Sequence, residues 1–103
     1  MKVEHWNPEK DGALSEISMR RKLEQLGYRV TLYEYSPGTL FPTHTHAIDK
    51  IDAVLSGSFR IGMGNGSFVL KAGDFIYVPA RAEHSAEVIG NEPVVSLDGI
   101  RSS

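Results

Sequence analysis

From Tyr28 onward the chain is cut into short stretches rich in Val, Ile, Phe and Tyr by the breaks Pro37-Gly38, Ser56-Gly57, Asn65-Gly66, Ala72-Gly73 and Gly90-Asn91. Short apolar runs between turn residues suit antiparallel strands, and a βαβ unit would need a helical stretch between each pair. The texture predicts an all-β fold, an antiparallel sandwich or a closed barrel. Its sharpest signal is Asn65-Gly66, between Phe59-Arg60-Ile61 and Phe68-Val69-Leu70. A type I′ hairpin needs positive φ at both central residues, which Asn-Gly supplies, and a hairpin is expected there. The stretch Gly62-Met63-Gly64-Asn65-Gly66 has the glycines of a phosphate loop, but no helix follows it, and the hairpin is preferred.

Before the strands, Leu14 to Leu26 sets Met19, Leu23 and Leu26 at helical spacing with charges between them and stops at Gly27. This predicts one amphipathic helix closed by a left-handed glycine. Its Arg20-Arg21-Lys22 run reads as a solvated face. The whole chain carries 11 Lys+Arg against 13 Asp+Glu, which leaves no basic field for nucleic acid or an anionic membrane. With 103 residues and 41% hydrophobic content one domain over 1–103 is expected, a helical extension at about 13–27 and a barrel at about 28–101. The longest aliphatic and aromatic run is Phe75 to Val78, and the first residues lack an apolar signal core. The expectation is a cytoplasmic protein with no membrane partner.

Cysteine is absent, which removes thiolate ligands and leaves His, Asp and Glu to hold any metal. His44-Thr45-His46 puts two imidazoles at i and i+2, neighbours on one face if the segment is a strand. His84 follows the strand-like Asp74 to Val78 and the loop Pro79-Ala80-Arg81-Ala82-Glu83. Three protein ligands with open positions is the arrangement that admits water or substrate. His5 reads as an ordinary exposed residue. Ser85 lies beside His84, but there is no Gly-x-Ser-x-Gly elbow and strand neighbours point oppositely, so no hydrolase is read here.

The run from Gly38 through His44, His46 and Lys50 to Gly57 resembles the first cupin motif, Gly-x5-His-x-His-x3-Glu-x6-Gly. Gly73, Pro79 and His84 resemble the second, Gly-x5-Pro-x-Gly-x2-His-x3-Asn. The resemblance implies a small single-domain cupin of RmlC-like type, a double-stranded β-helix or jelly-roll barrel carrying one divalent metal ion, zinc, iron, nickel or manganese, on His44, His46 and His84. Lys50 stands where the family has its glutamate ligand, and Arg81 and Val88 where the second motif has Gly and Asn. A protonated ammonium donates no lone pair to a metal, so Lys50 is expected in the cavity beside the histidines, paired with Asp52, or with Glu34 or Asp98.

Two functions stay open. One is a metal-dependent enzyme, a dioxygenase-like oxidoreductase, isomerase or lyase acting on a small anionic molecule, with Lys50 as its catalytic side chain. The other is a cupin that binds or senses such a molecule without turnover. A homodimer is expected, because the helix face and the sheet edges need cover in so short a chain.

Overall fold

A computed structural model describes residues 2–101. Nine strands form two antiparallel sheets: β1 (Val3–His5), β2 (Tyr28–Tyr35), β3 (Leu40–His44), β4 (Lys50–Ser56), β5 (Ser58–Met63), β6 (Gly66–Leu70), β7 (Asp74–Val78), β8 (His84–Ile89) and β9 (Val94–Arg101). The five-stranded sheet runs β1-β7-β4-β9-β2 and the four-stranded sheet β3-β8-β5-β6. This is the all-β jelly roll that the turn rhythm and the two motifs lead one to expect. No helix among the described residues is long and apolar enough to cross a membrane.

The sheets differ in what covers them. Strand β5 alternates Phe59, Ile61 and Met63 inward with Arg60 outward, where Arg60 pairs with its ladder partner Glu87 at 3.1 Å. One face of the four-stranded sheet therefore meets water. The centre of the five-stranded sheet is buried on both faces. Val54, Ile76, Val78 and Val94 pack between the sheets, while Ile51, Ala53, Phe75 and Leu97 pack beneath Met19 and Leu23 of helix α2 (Glu16–Gln25). Such a strand reads as a continuous apolar run. In β4 the exception is Asp52, on the inter-sheet side with Val54.

Several sequence expectations are corrected. Helix α2 begins at a capping box in which Ser15 accepts from the Ser18 N–H, two residues after the Leu14 start read from the periodicity. A one-turn helix α1 (Pro8–Asp11) precedes it, too short to show a period. Strand β1, ahead of the stretch read as a helical extension, joins the five-stranded sheet through β7. Leu26 ends the helix partly exposed, and Gly27 takes φ +99° as the expected stop. Arg20 donates to the Val30 carbonyl at 2.8 Å and Lys22 reaches Asp11 at 2.8 Å, so only Arg21 of the basic run is wholly solvated. Met19 and Leu23 of the helix are covered by the chain's own sheet, while Ile17 on the same helix is exposed.

The hairpin between β5 and β6 is present, but its register pairs Met63 with Gly66. The two-residue turn is thus Gly64-Asn65, with positive φ at Gly64 and not at Asn65. A glycine first in the turn gives a II′-like bend and displaces the expected Asn-Gly type I′. Gly57 shows why the first motif ends in glycine. Its φ is +83°, and a Cβ there would lie 2.3 Å from the Pro93 carbonyl oxygen.

Candidate metal centre

His44 ends β3 and His84 begins β8, and the antiparallel ladder sets the two directly opposite each other. A register shift between Phe41 and His44 turns the strand end toward the cavity. His46 is not on the strand, as its i+2 spacing suggested, but in the loop before β4. That loop is fastened from the other side. The Arg81 N–H donates to the His46 carbonyl at 2.7 Å, and the Ala80 N–H donates to Asp49 Oδ1 at 2.7 Å. Asp49 thereby ties the two motif loops together, a role with no signature in the sequence. Arg81 makes its bond from φ +67°, the left-handed region that the family's glycine enters without strain.

The three ring centroids lie 4.2 to 5.1 Å apart, and one nitrogen from each ring can be chosen so that all lie within 4.8 Å of one another. His44 Nδ1 is 2.6 Å from the Pro42 carbonyl oxygen and His84 Nδ1 is 2.9 Å from that of Ala82. A carbonyl only accepts, so each Nδ1 carries the proton and each Nε2 keeps a free lone pair. Burial pushes the pKa of both His46 and His84 down, and Lys50 and the neighbouring rings lower that of His46 further. Imidazoles with lone pairs gathered around one point are the donor set that a divalent first-row ion takes, at about 2.0–2.1 Å for zinc. No hydrogen bond holds the His46 ring among the described residues, so its side chain can turn toward an ion shared with the other two. The donors fit a metal ion.

These rings open on a cavity of 320 Å³ between the sheets. Its four-stranded wall carries the histidines with Phe41, Phe59 and Ala86. The five-stranded wall brings Arg29, Thr31, Tyr33 and Tyr35 from one face of β2, Lys50 and Asp52 from β4, and Asp98 and Ile100 from β9. Lys50 Nζ is 3.9 Å from Asp52 Oδ1, close enough to pair when Asp52 is ionised but too long for a hydrogen bond. Glu34 is exposed on β2 and takes no part. Asp98 accepts from Ser96 Oγ at 2.6 Å and from the Tyr35 hydroxyl at 3.1 Å. Burial, and then Asp98, push the Tyr35 pKa well above its usual value, so that hydroxyl remains a donor. Tyr35 also stacks on Phe59 at 5.7 Å and meets Phe41 edge-on at 4.9 Å. Sequence reading missed Arg29 and Tyr35, because alternation marks a strand's faces without saying which face meets a cavity.

A family model described as "Cupin domain" matches residues 31–99. A germin-like protein of Mesembryanthemum crystallinum is 34% identical over 91 residues, covering 78% of this chain and 39% of that protein. Among solved structures, one of DMSP lyases is 26% identical with a TM-score of 0.66 over 74% of this chain and 39% of that one. An RmlC-like cupin from Shewanella frigidimarina, 21% identical, has a TM-score of 0.66 over 75% of this chain and 68% of that one, a likeness of fold. The chain thus spans 39% of the length of the germin-like protein and of the DMSP lyase chain. Motif spacing, two facing sheets and the match over residues 31–99 lead to one assignment: the chain belongs to the cupin domain family.

Proposed function

We propose that this cupin domain holds one divalent metal ion on His44, His46 and His84 and acts there on a small carboxylate-bearing molecule, with Lys50 and Arg29 receiving the carboxylate. The observation that carries this reading is the convergence of three imidazole nitrogens within 4.8 Å, two of them with their tautomer set by backbone carbonyls. A bound ion would supply Lewis-acid polarisation of a ligand oxygen. Lys50 in place of a carboxylate leaves three protein ligands and so leaves coordination positions for the ligand.

The rest of the cavity acts on the molecule's other atoms. Lys50 and Arg29 offer positive charge, set against Asp52 and Asp98. Phe41, Phe59 and Tyr35 present apolar faces that exclude water and strengthen those charge contacts. The likeness to DMSP lyases supports turnover over passive binding, since those proteins carry out a reaction on a related scaffold. The test is elemental analysis of protein purified without a histidine tag, followed by calorimetry with oxalate. We expect near one equivalent of metal, and oxalate binding that Lys50→Met weakens about 10-fold, or about 1.4 kcal/mol. Metal-free protein that takes up no zinc would end this reading.

A further inference from the structure

The cavity wall opposite the histidines carries a group that the metal reading leaves unused. Asp52 is 7% exposed, lines the cavity from β4, and its Oδ1 has no hydrogen-bond donor among the described residues. An orphaned buried carboxylate oxygen is costly unless a proton neutralises it. Directly across the β4–β9 ladder stands Asp98, whose oxygens take hydroxyl hydrogens from Ser96 and Tyr35. Two carboxyl groups sharing a dry site resist ionising together, so the pair retains one proton. Asp98 has donors and Asp52 Oδ1 has none, which places that proton on Asp52.

The charged and titratable groups around Asp52 are few. Lys50 lies on its own strand, Asp98 on β9, and Arg29, Tyr33 and Tyr35 on β2. His44, His46 and His84 line the far wall. From β7 the ladder partner is apolar Ile76. Burial first, then Asp98, with Lys50 opposing, push the Asp52 pKa up to about 7.

We propose that Asp52 is a catalytic acid–base group for a carbonyl compound held at the histidine cluster, with Asp98 as the positioning residue that keeps the shared proton on it. The inference rests on the metal reading above. In the step, Asp52 that has first released its own proton to water acts as a carboxylate and takes a proton from the carbon next to the carbonyl. That C–H bond breaks, an O–H bond forms on Asp52, and the electron pair moves to the carbonyl oxygen. The reverse step returns the proton to the same or an adjacent atom, so the reaction class is isomerisation by proton transfer, with no oxidant needed. Lys50, 3.9 Å away, stabilises Asp52 whenever it is ionised.

The first experiment uses metal-free protein labelled with ¹³C at aspartate carboxyls. Asp52 is expected to titrate near pH 7, and Asp98→Asn to lower that midpoint by about one unit or more. A wild-type midpoint below about pH 5, or one that Asp98→Asn leaves in place, overturns the shared proton. The second follows exchange of pyruvate methyl protons in D₂O by zinc-loaded protein. Asp52→Asn should slow exchange about 100-fold at unchanged zinc content, and Asp98→Asn should shift the pH midpoint of exchange. Wild-type protein that retains zinc yet exchanges nothing, or equal exchange by Asp52→Asn, overturns the acid–base role. Failure to retain zinc counts against the metal reading, and the carboxyl titration then judges the pair by itself.

Discussion

The two walls of the cavity are built by different kinds of contact. On the four-stranded wall the determinants are local. His44 is oriented by the carbonyl of Pro42 and His84 by that of Ala82, each two residues away. On the five-stranded wall Asp52, Asp98 and Tyr35 come from three strands; Ser96, two residues from Asp98 on β9, gives it one local bond, but the Tyr35 hydroxyl reaches it from β2 and the β4–β9 ladder sets it against Asp52. Burial acts on both walls in the same sense, against charge. It lowers the pKa of His46 and of His84 and raises that of Asp52, so a dry cavity favours the neutral form of those two imidazoles and of the carboxyl. A local device survives changes in the opposite sheet, whereas a ladder-built device depends on the register of all three strands.

The largest effect expected from this contrast is on stability against pH. The Asp52 pKa of about 7 in the folded chain lies above the usual 3.8, so between those values the native state holds a proton that the unfolded chain has released. The resulting stability is full below about pH 4 and is lost as the pH rises through about 7. Asp52→Asn carries no charge and escapes the loss. Its stability relative to wild type should grow by roughly 4 kcal/mol between about pH 4 and pH 8, read by urea unfolding. A constant difference across that range would mean that the carboxyl is solvated and the contrast between the walls is wrong.

Next in size is His46→Ala. Outer partners of metal ligands are worth about 10–100-fold in affinity, and loss of a ligand should reach or exceed the upper end, about 2.7 kcal/mol in zinc titrations. Asp52→Asn, on the other wall, should hold zinc with wild-type affinity, and equal losses from both would merge the walls into one site. Lys50→Glu is smaller. A carboxylate at that position adds a fourth ligand, for about 10-fold tighter zinc in competition with a chelator. In the metal-free state it sets a third carboxyl beside Asp52 and Asp98, so its unfolding midpoint without metal should fall. A Lys50→Glu chain that releases zinc faster than wild type would show that position 50 does not face the histidines.

Smallest is Arg81→Gly, which relieves the left-handed backbone at φ +67° and keeps the N–H that bonds His46. The net gain should be about 0.5–1 kcal/mol, since glycine also loosens the unfolded chain. A thermal midpoint that drops would place the Arg81 side chain in some contact beyond the described hydrogen bonds.

Much of the architecture was legible in the sequence. Turn residues marked the strands, Met19 and Leu23 marked the buried helix face, and the spacing of His44, His46 and His84 singled out the cluster now found around one point. Other features had no local signature. The turn at Gly64-Asn65 slipped one residue from the expected Asn-Gly because the β5–β6 register, fixed by Phe59 and Ile61 facing the core, decides which pair is central. Strand β1 and helix α1 are too short to carry a period, and they are held by β7 and by a cap at Asn7.

Sequence alone determined which residues share a face, because a strand's side chains alternate with period two whatever lies opposite. Thus Lys50 and Asp52 share a face, and Ile51, Ala53 and Leu55 take the other. Only the tertiary structure decided which face meets the cavity and what its residues find there. Alternation says nothing about strand order or register, and it is the β4–β9 register that sets Asp52 against Asp98, as it is the β3–β8 register that sets His44 against His84.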